Sequence, residues 1–137
     1  MVVNDDLRSV VSLHNIYCDK IDFARTEVPI SEENLKCRFV KSYHFNDEHT
    51  ACRVSLGCEF TEDGSEDIHF KVIVTGHFSC EDPDQNRRDA LLKKNTLAIL
   101  FPYLRTQVSV ITMQPGMNPI IIPPINIEAV FDQAENV

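Results

Sequence analysis

A change of period constrains this chain more than any other feature. Cys52, Val54, Leu56, Cys58 and Phe60 alternate with Arg53, Ser55, Gly57 and Glu59. Phe70, Val72, Val74, Gly76, Phe78 and Cys80 alternate in the same way with Lys71, Thr75, His77 and Ser79. Earlier, Leu35, Cys37, Phe39, Tyr43 and Phe45 alternate with Lys36, Arg38, Ser42 and His44. Successive side chains of a strand point to opposite faces, so each run reads as a half-buried strand. After Cys80 the spacing becomes helical, and apolar residues recur at three and four positions.

Residues 13–23 form a first strand carrying Ile16, Tyr17, Ile21 and Phe23, with a slip of alternation between Ile16 and Tyr17 that suggests a bulge. Residues 1–11 read as a frayed start or small helix, and residues 25–34, with Pro29, as a crossover loop. Asn46-Asp47-Glu48 and the acidic stretch 62–67 are turns, which makes the last three strands an antiparallel meander.

Asp82-Pro83-Asp84-Gln85 reads as a helix start, with Asp82 as cap and Pro at the first helical position. Leu91, Leu92, Ala98, Ile99, Leu104, Val108 and Ile111 give that helix its apolar stripe, and Pro102 should kink or restart it. Pro115-Gly116 ends it. Residues 117–125 contain three prolines and cannot be a regular helix; Asn126 then caps a short one bearing Ile127, Val130 and Phe131. Four strands followed by helices predict an α+β fold, a four-stranded antiparallel sheet with C-terminal helices packed on one face, as a single domain over 1–137. The sheet's other face, where Val40 and Ile73 sit among Lys, Arg, His and Ser, is semi-polar and suits a subunit contact.

A formal charge of −8 argues against nucleic acid, which demands clustered Lys and Arg. No apolar run approaches the roughly 20 residues of a membrane span, so membrane insertion is not expected. The start lacks the basic and apolar blocks of a signal peptide. The five cysteines, at 18, 37, 52, 58 and 80, are odd in number and hold no C-x-x-C pair; buried thiols in a reducing cytoplasm account for them.

Catalytic chemistry finds little support. A nucleophile needs a base and an orienting group, yet the five histidines are scattered over strands and turns. His69 and His77 share a face but stand about 26 Å apart along a strand at about 3.3 Å per residue, too far to share a metal. The acidic stretch 59–67 lacks the ligand order of a calcium loop. With only four glycines there is no phosphate-binding loop. Arg87-Arg88 and Lys93-Lys94 read as a solvated helix face. What stands out is apolar sequence in proline-flanked, loop-like segments: Val28, Ile30, Met117, Ile120, Ile121 and Ile122. Such stiffened segments frame a groove at little ordering cost, or else cover the core.

Leu100-Phe101-Pro102-Tyr103-Leu104-Arg105, followed by Pro119 and then Pro124-Ile125-Asn126-Ile127-Glu128-Ala129-Val130-Phe131, resembles the end of the SecB family of protein-export chaperones. Ile16-Tyr17 with Ile21-Asp22-Phe23 resembles that family's first strand, and Phe78-Ser79 the close of its fourth. The resemblance covers nearly the whole chain, most strongly 97–131. It implies an ATP-independent, cytoplasmic holdase without cofactor or metal, assembling as a homodimer that pairs into a homotetramer. Its clients are unfolded polypeptides or preproteins destined for translocation. The peptide-binding groove it implies carries over to Val28, Ile30, Leu35, Cys37, Phe39, Ile120, Ile122, Ile127 and Phe131.

Export members dock on SecA through acidic residues on the sheet and a polar tail. The corresponding positions here hold Lys20, Ala24 and Lys71, and a charge reversal at a docking face costs binding, so docking on SecA is in question. Some SecB-like chaperones guard the antitoxin of a toxin–antitoxin pair, which is the alternative the resemblance supports. A small-molecule or lipid carrier using the same cleft is the reading from another class. An enzyme is the third, disfavoured by the lack of a clustered acid, base or nucleophile.

Overall fold

A computed structural model describes residues 10–25, 32–62 and 65–136. The expectations for 1–9, for the crossover segment 26–31 and for the tip of the acidic turn at 63–64 fall outside these residues. Strands β1 (Val11–Arg25), β2 (Leu35–Phe45), β3 (Ala51–Glu62) and β4 (Ser65–Cys80) precede helices α1 (Gln85–Ile111) and α2 (Ile127–Gln133), and β5 (Glu135–Asn136) closes the chain. Their order in the sheet is β1-β4-β3-β2-β5. The first four strands are antiparallel neighbours, with β2-β3-β4 as the expected meander. β5 adds a short parallel pairing to β2 at Val40 and Lys41, which no alternation announced because the strand has two residues.

The alternating residues meet across strands. Phe23, Phe70 and Phe60 form one core-facing row, with edge-on and stacked rings 5.5 and 5.8 Å apart. Val54, Leu56, Cys58, Phe70 and Val72 are wholly buried. α1 covers them with Leu92, Leu97, Leu100, Leu104 and Val108. Gly76 permits this close approach: a Cβ there would stand 2.6 Å from the Phe78 ring and 3.0 Å from Leu100. Each such large side chain contributes about 1.5–3 kcal/mol on burial.

Several local expectations change. The β1 register slips between Leu13 and Asn15 and between Cys18 and Lys20, on either side of the Ile16–Tyr17 step rather than at it. Thus His14 and Asp19 are the extra residues. The cap of α1 is Asp84, whose carboxylate accepts from the Asn86 and Arg87 amides; Asp82 instead accepts from the Asp84 amide and leaves Pro83 outside the helix. α1 neither ends nor restarts at Pro102. Both Pro102 and Ala98 are exposed, so the carbonyl deprived of its donor lies on the watered side, where solvent replaces the lost bond. Ala98 is therefore no part of the buried stripe.

Residues 117–125 are in neither helix nor strand, as their prolines require. The segment is clipped to the end of α1: the Ile120 amide donates to Thr112 Oγ1 at 2.8 Å, and Ser109 Oγ donates to the Ile120 carbonyl at 2.9 Å. Asn126 caps α2 as expected, its side chain accepting from the Glu128 amide at 2.9 Å.

Arg87, Arg88, Lys93 and Lys94 are not a merely solvated face. Arg88 donates to the carbonyls of His49, Asp82 and Glu48 at 2.7, 2.9 and 3.3 Å, pinning the β2–β3 turn to α1. In that turn His49 has a φ of 54°, stacks on Phe45 at 4.6 Å and meets Asp89 at 3.1 Å. Arg87 pairs with Asp82 at 3.1 Å, and Lys94 reaches Glu128 at 3.3 Å.

Candidate functional site: an apolar groove between the second strand and the last helix

Two elements frame the site. β2 supplies Cys37, Arg38 and Phe39, and the segment from 125 through α2 supplies Ile125, Asn126, Ala129, Val130, Gln133 and Ala134. Together they line a cavity of about 460 Å³. Cys37, Arg38, Asn126 and Gln133 are exposed at its mouth, while Val130 and Ala134 are buried at its base, so it is an open trough. Cys37, Phe39, Ile125, Ala129, Val130 and Ala134 make its lining mainly apolar, a composition suited to apolar side chains brought in from water.

The trough depends on what holds α2 against β2. Lys41, only 8% exposed, donates from Nζ to the Phe131 carbonyl and lies 4.2 Å from the Phe131 ring centroid. Lys94 approaches the same ring from α1 at 5.3 Å. Burial pulls Lys41 below the usual lysine range, with Asp132 opposing that shift and Lys93 adding to it. Further along β2, the Tyr43 hydroxyl donates to the Lys93 carbonyl at 2.7 Å, and burial pushes this phenol up.

The sequence-derived groove residues divide into three groups. Cys37 and Phe39 line the trough, and the Phe39 ring lies 6.4 Å from Phe101 of α1. Leu35, Ile127 and Phe131 are half-buried and packed against the core. Ile120 and Ile122 are buried, at 8% and 4%, while Ile121 between them is 70% exposed. Burial alternates over these three residues, so the two flanking isoleucines close the core. Val28 and Ile30 lie outside the described residues.

The sequence offered Ile127 and Phe131 of α2 for the groove, but the residues of that segment that line the trough are others. Asn126, Ala129, Val130 and Gln133 recur at three- and four-residue intervals, which is one face of a helix once Asn126 is its cap. That spacing was the available signal, but Ala and Gln carry little apolar weight. Cys37 also departs from the expectation of buried thiols, being exposed while Cys52, Cys58 and Cys80 are buried and Cys18 is half-buried.

The sheet face away from the helices carries charges in order. Asp22, Lys71, Glu59 and Arg38 occupy one cross-strand row. Arg38 and Glu59 meet at 2.9 Å, and His69 stands 3.5 Å from Asp22 and 4.0 Å from Glu59. The Arg38 hydrogen bond holds Glu59 below the usual carboxylate range. Lys71 therefore sits between two carboxylates, and Lys20 and Ala24 flank Asp22 on the same strand. Val40, expected on this face, is buried beside Gly57 and Ile73, because the missing Cβ of Gly57 lets the two side chains close over it.

A second shallow surface of about 610 Å³ lies on the outer side of α1, where Val110, Met113 and Ile121 are exposed. Leu13, Tyr17 and Ile21 are exposed on β1, the edge strand opposite the trough. No described helix is long and apolar enough to cross a membrane.

A family model described as preprotein translocase subunit SecB matches residues 8–137. The protein-export protein SecB of Neisseria gonorrhoeae is 27% identical over 150 residues, spanning 97% of this chain and 95% of that protein. An uncharacterized protein of Methanocaldococcus jannaschii is 26% identical over 137 residues, spanning 95% and 88%. Among solved structures, a SecB-like chaperone of Mycobacterium tuberculosis, in complex with a ChAD peptide from the HigA1 antitoxin, superposes with a TM-score of 0.68. It is 13% identical, over 85% of this chain and 88% of that one, and shares the fold.

Proposed function

The chain belongs to the SecB family of chaperones, and on that footing we propose that it is an ATP-independent holdase that seats apolar segments of unfolded polypeptides in the β2–α2 trough. One observation carries this reading: an open, mainly apolar trough whose walls are a strand and a capped helix already in place. An extended client segment buries its side chains there without the protein having to order new structure, so the hydrophobic gain is not spent on loop entropy. Each large client side chain seated there gains about 1.5–3 kcal/mol of gross burial free energy, against which the entropic cost of association is set. The groove residues of this proposal are Cys37, Phe39, Ile125, Ala129 and Val130, with Leu35, Ile127 and Phe131 supporting them.

In this reading the protein works in the cytoplasm as a homo-oligomer. The exposed β1 edge suits pairing of two copies, and the apolar outer side of α1 suits the contact between pairs.

A second reading, a chaperone dedicated to one antitoxin, is favoured by the charge row. Lys71 and Arg38 offset Asp22 and Glu59, so the face has little net acidity with which to dock an export motor such as SecA. The neighbour that holds an antitoxin peptide supports the same reading by analogy of fold.

The test is suppression of aggregation of a chemically unfolded client. Wild type slows it at stoichiometric amounts; Phe39→Asp and Ala129→Glu lose most of this effect while keeping the circular dichroism of the wild type. A wild-type protein with no effect on any of several unfolded clients overturns the proposal. Identification of co-purifying polypeptides separates export precursors from a single antitoxin.

A further inference from the structure

The sheet face away from the helices is electrostatically two-ended. At one end a cross-strand row alternates in sign: Asp22, Lys71, Glu59 and Arg38. At the other end the register sets Asn15, His77, Arg53 and His44 side by side, a row without a carboxylate. Opposite charges across neighbouring strands stabilise each other, so the first row is matched within the sheet and the second is not. Arg53 is exposed and makes no ion pair or side-chain hydrogen bond among the described residues, Asp47 and Glu48 of the adjoining turn included. His44 and His77 flank it directly, at the spacing of about 4.8 Å between neighbouring strands. The His77 ring is steadied by Tyr17, whose hydroxyl lies 3.1 Å from Nε2. Lys20, opposite Ile73, adds a second fixed cation to this end.

The strand carboxylate of this end is Asp19, the extra residue of the second slip in β1. It is committed elsewhere. Thr75 is wholly buried and donates to Asp19 Oδ2 at 3.2 Å. That uses its one proton, so Ser55 is the donor in the 2.7 Å bond between the Ser55 and Thr75 hydroxyls. Beside this chain of hydroxyls lies a hollow of about 240 Å³, walled by Val40, Gly57 and Ile73 and rimmed by Ser42, His44 and Ser55. It falls below the roughly 300 Å³ at which small-molecule sites begin, and suits a single side chain.

From this arrangement we infer that the Arg53 end of the sheet face is a docking surface for an acidic segment of a partner polypeptide. A carboxylate of the partner pairs with the Arg53 fork, and the two imidazoles supply further donors. A small side chain two to four residues further along the extended segment enters the hollow. That spacing follows from β3 itself, where Arg53 and Gly57 stand about 13 Å apart at about 3.3 Å per residue. The trough opens on the helix side of the sheet, so this surface goes beyond the holdase reading and does not rest on it.

Charge complementarity selects the occupant. A second copy of this chain offers, on the same face, carboxylates that are already matched: Glu59 by Arg38, Asp22 beside His69, and Asp19 by Thr75. A polynucleotide needs a run of cations, and a chain of net charge −8 repels it. A peptide carboxylate needs one planar fork, which Arg53 provides.

The experiment uses the intact protein and a rhodamine-labelled nonapeptide of glycine and serine, with two central glutamates and one alanine, read by fluorescence anisotropy. The glutamate peptide should bind about tenfold more tightly than its glutamine counterpart, and added salt should weaken it. Arg53→Gln should lower its affinity about tenfold with an unchanged circular dichroism, and Arg53→Lys should recover only part of the loss. Lys71→Gln, in the matched row, should leave it within twofold. Replacing the peptide's alanine by tryptophan should weaken binding, because the hollow is too small; equal binding overturns the role of the hollow. Equal affinity for the glutamine peptide, or an Arg53→Gln protein that binds like wild type, overturns the inference. So does an oligothymidine that binds more tightly than the acidic peptide, which assigns the face to nucleic acid. A sedimenting oligomer that Arg53→Gln dissociates also overturns it, by giving the face to a second copy.

Discussion

Lys41 on β2 grips Phe131 of α2 twice, through its carbonyl and through its ring at 4.2 Å. One buried cation thereby sets the width of the trough. The arrangement costs desolvation, since folding disfavours the charged form of a lysine that is only 8% exposed.

Lys41→Met should release α2 without unfolding the sheet. Amide hydrogen exchange over 127–136 is expected to accelerate while β3 and β4 stay protected, with a global loss of about 1 kcal/mol from the orphaned Phe131 carbonyl. The pH dependence has a definite sign. The folded value lies below the unfolded one, so the penalty is full at neutral pH and fades as pH rises toward the ordinary value of about 10.4. Wild type should gain on the Met variant over that alkaline window, as followed by urea denaturation.

The Arg38–Glu59 pair predicts an acid effect of the opposite kind. Glu59 is held low by Arg38, so its contribution is present above the ordinary carboxylate value of about 4.3 and disappears as pH falls through the folded value. Arg38 is 52% exposed, which limits the contribution to less than about 1 kcal/mol. Melting of Glu59→Gln should fall slightly below wild type at pH 7 and coincide with it at strongly acidic pH.

Gly57→Ala tests the far face of the sheet. The added Cβ would meet the Val72 carbonyl oxygen and Ile73 Cγ1 at 2.8 Å and Val40 at 3.0 Å. Side chains can yield, but the backbone oxygen cannot. A loss of about 1–3 kcal/mol in chemical denaturation is expected.

Arg88→Ala removes one side chain that serves three carbonyls. A loss of about 2 kcal/mol is expected, and Arg88→Lys should recover little of it because an ammonium lacks the planar fork. Thermal melts of the two variants against wild type check this.

Ile122→Asp is expected to lower folded yield rather than report on client binding, because Ile122 is 4% exposed in the core. Comparing its circular dichroism with that of Phe39→Asp separates the two roles.

Much of the fold was legible because the relevant forces are local and periodic. Alternation over Leu35–Phe45 located β2 to the residue, and Asn126 located the start of α2. The candidate site was legible only in part. Cys37 and Phe39 came from a strand pattern, whereas Ala129, Gln133 and Ala134 are too small or polar to be noticed alone. The sequence left Ile120 and Ile122 open between groove wall and core cover; both are buried, and the Ile120 backbone is held by Ser109 and Thr112.

By itself, then, the sequence determined the periods, the number of long strands, the capped last helix and the family. Tertiary structure decided which apolar residues are spent on the core and which are left for a partner. It also decided that Lys41 is buried under Phe131 and that Lys71 lies between two carboxylates. The physical reason is that periodicity specifies the face a side chain takes on its own element. Which neighbour covers that face depends on register and on contacts between residues distant in sequence.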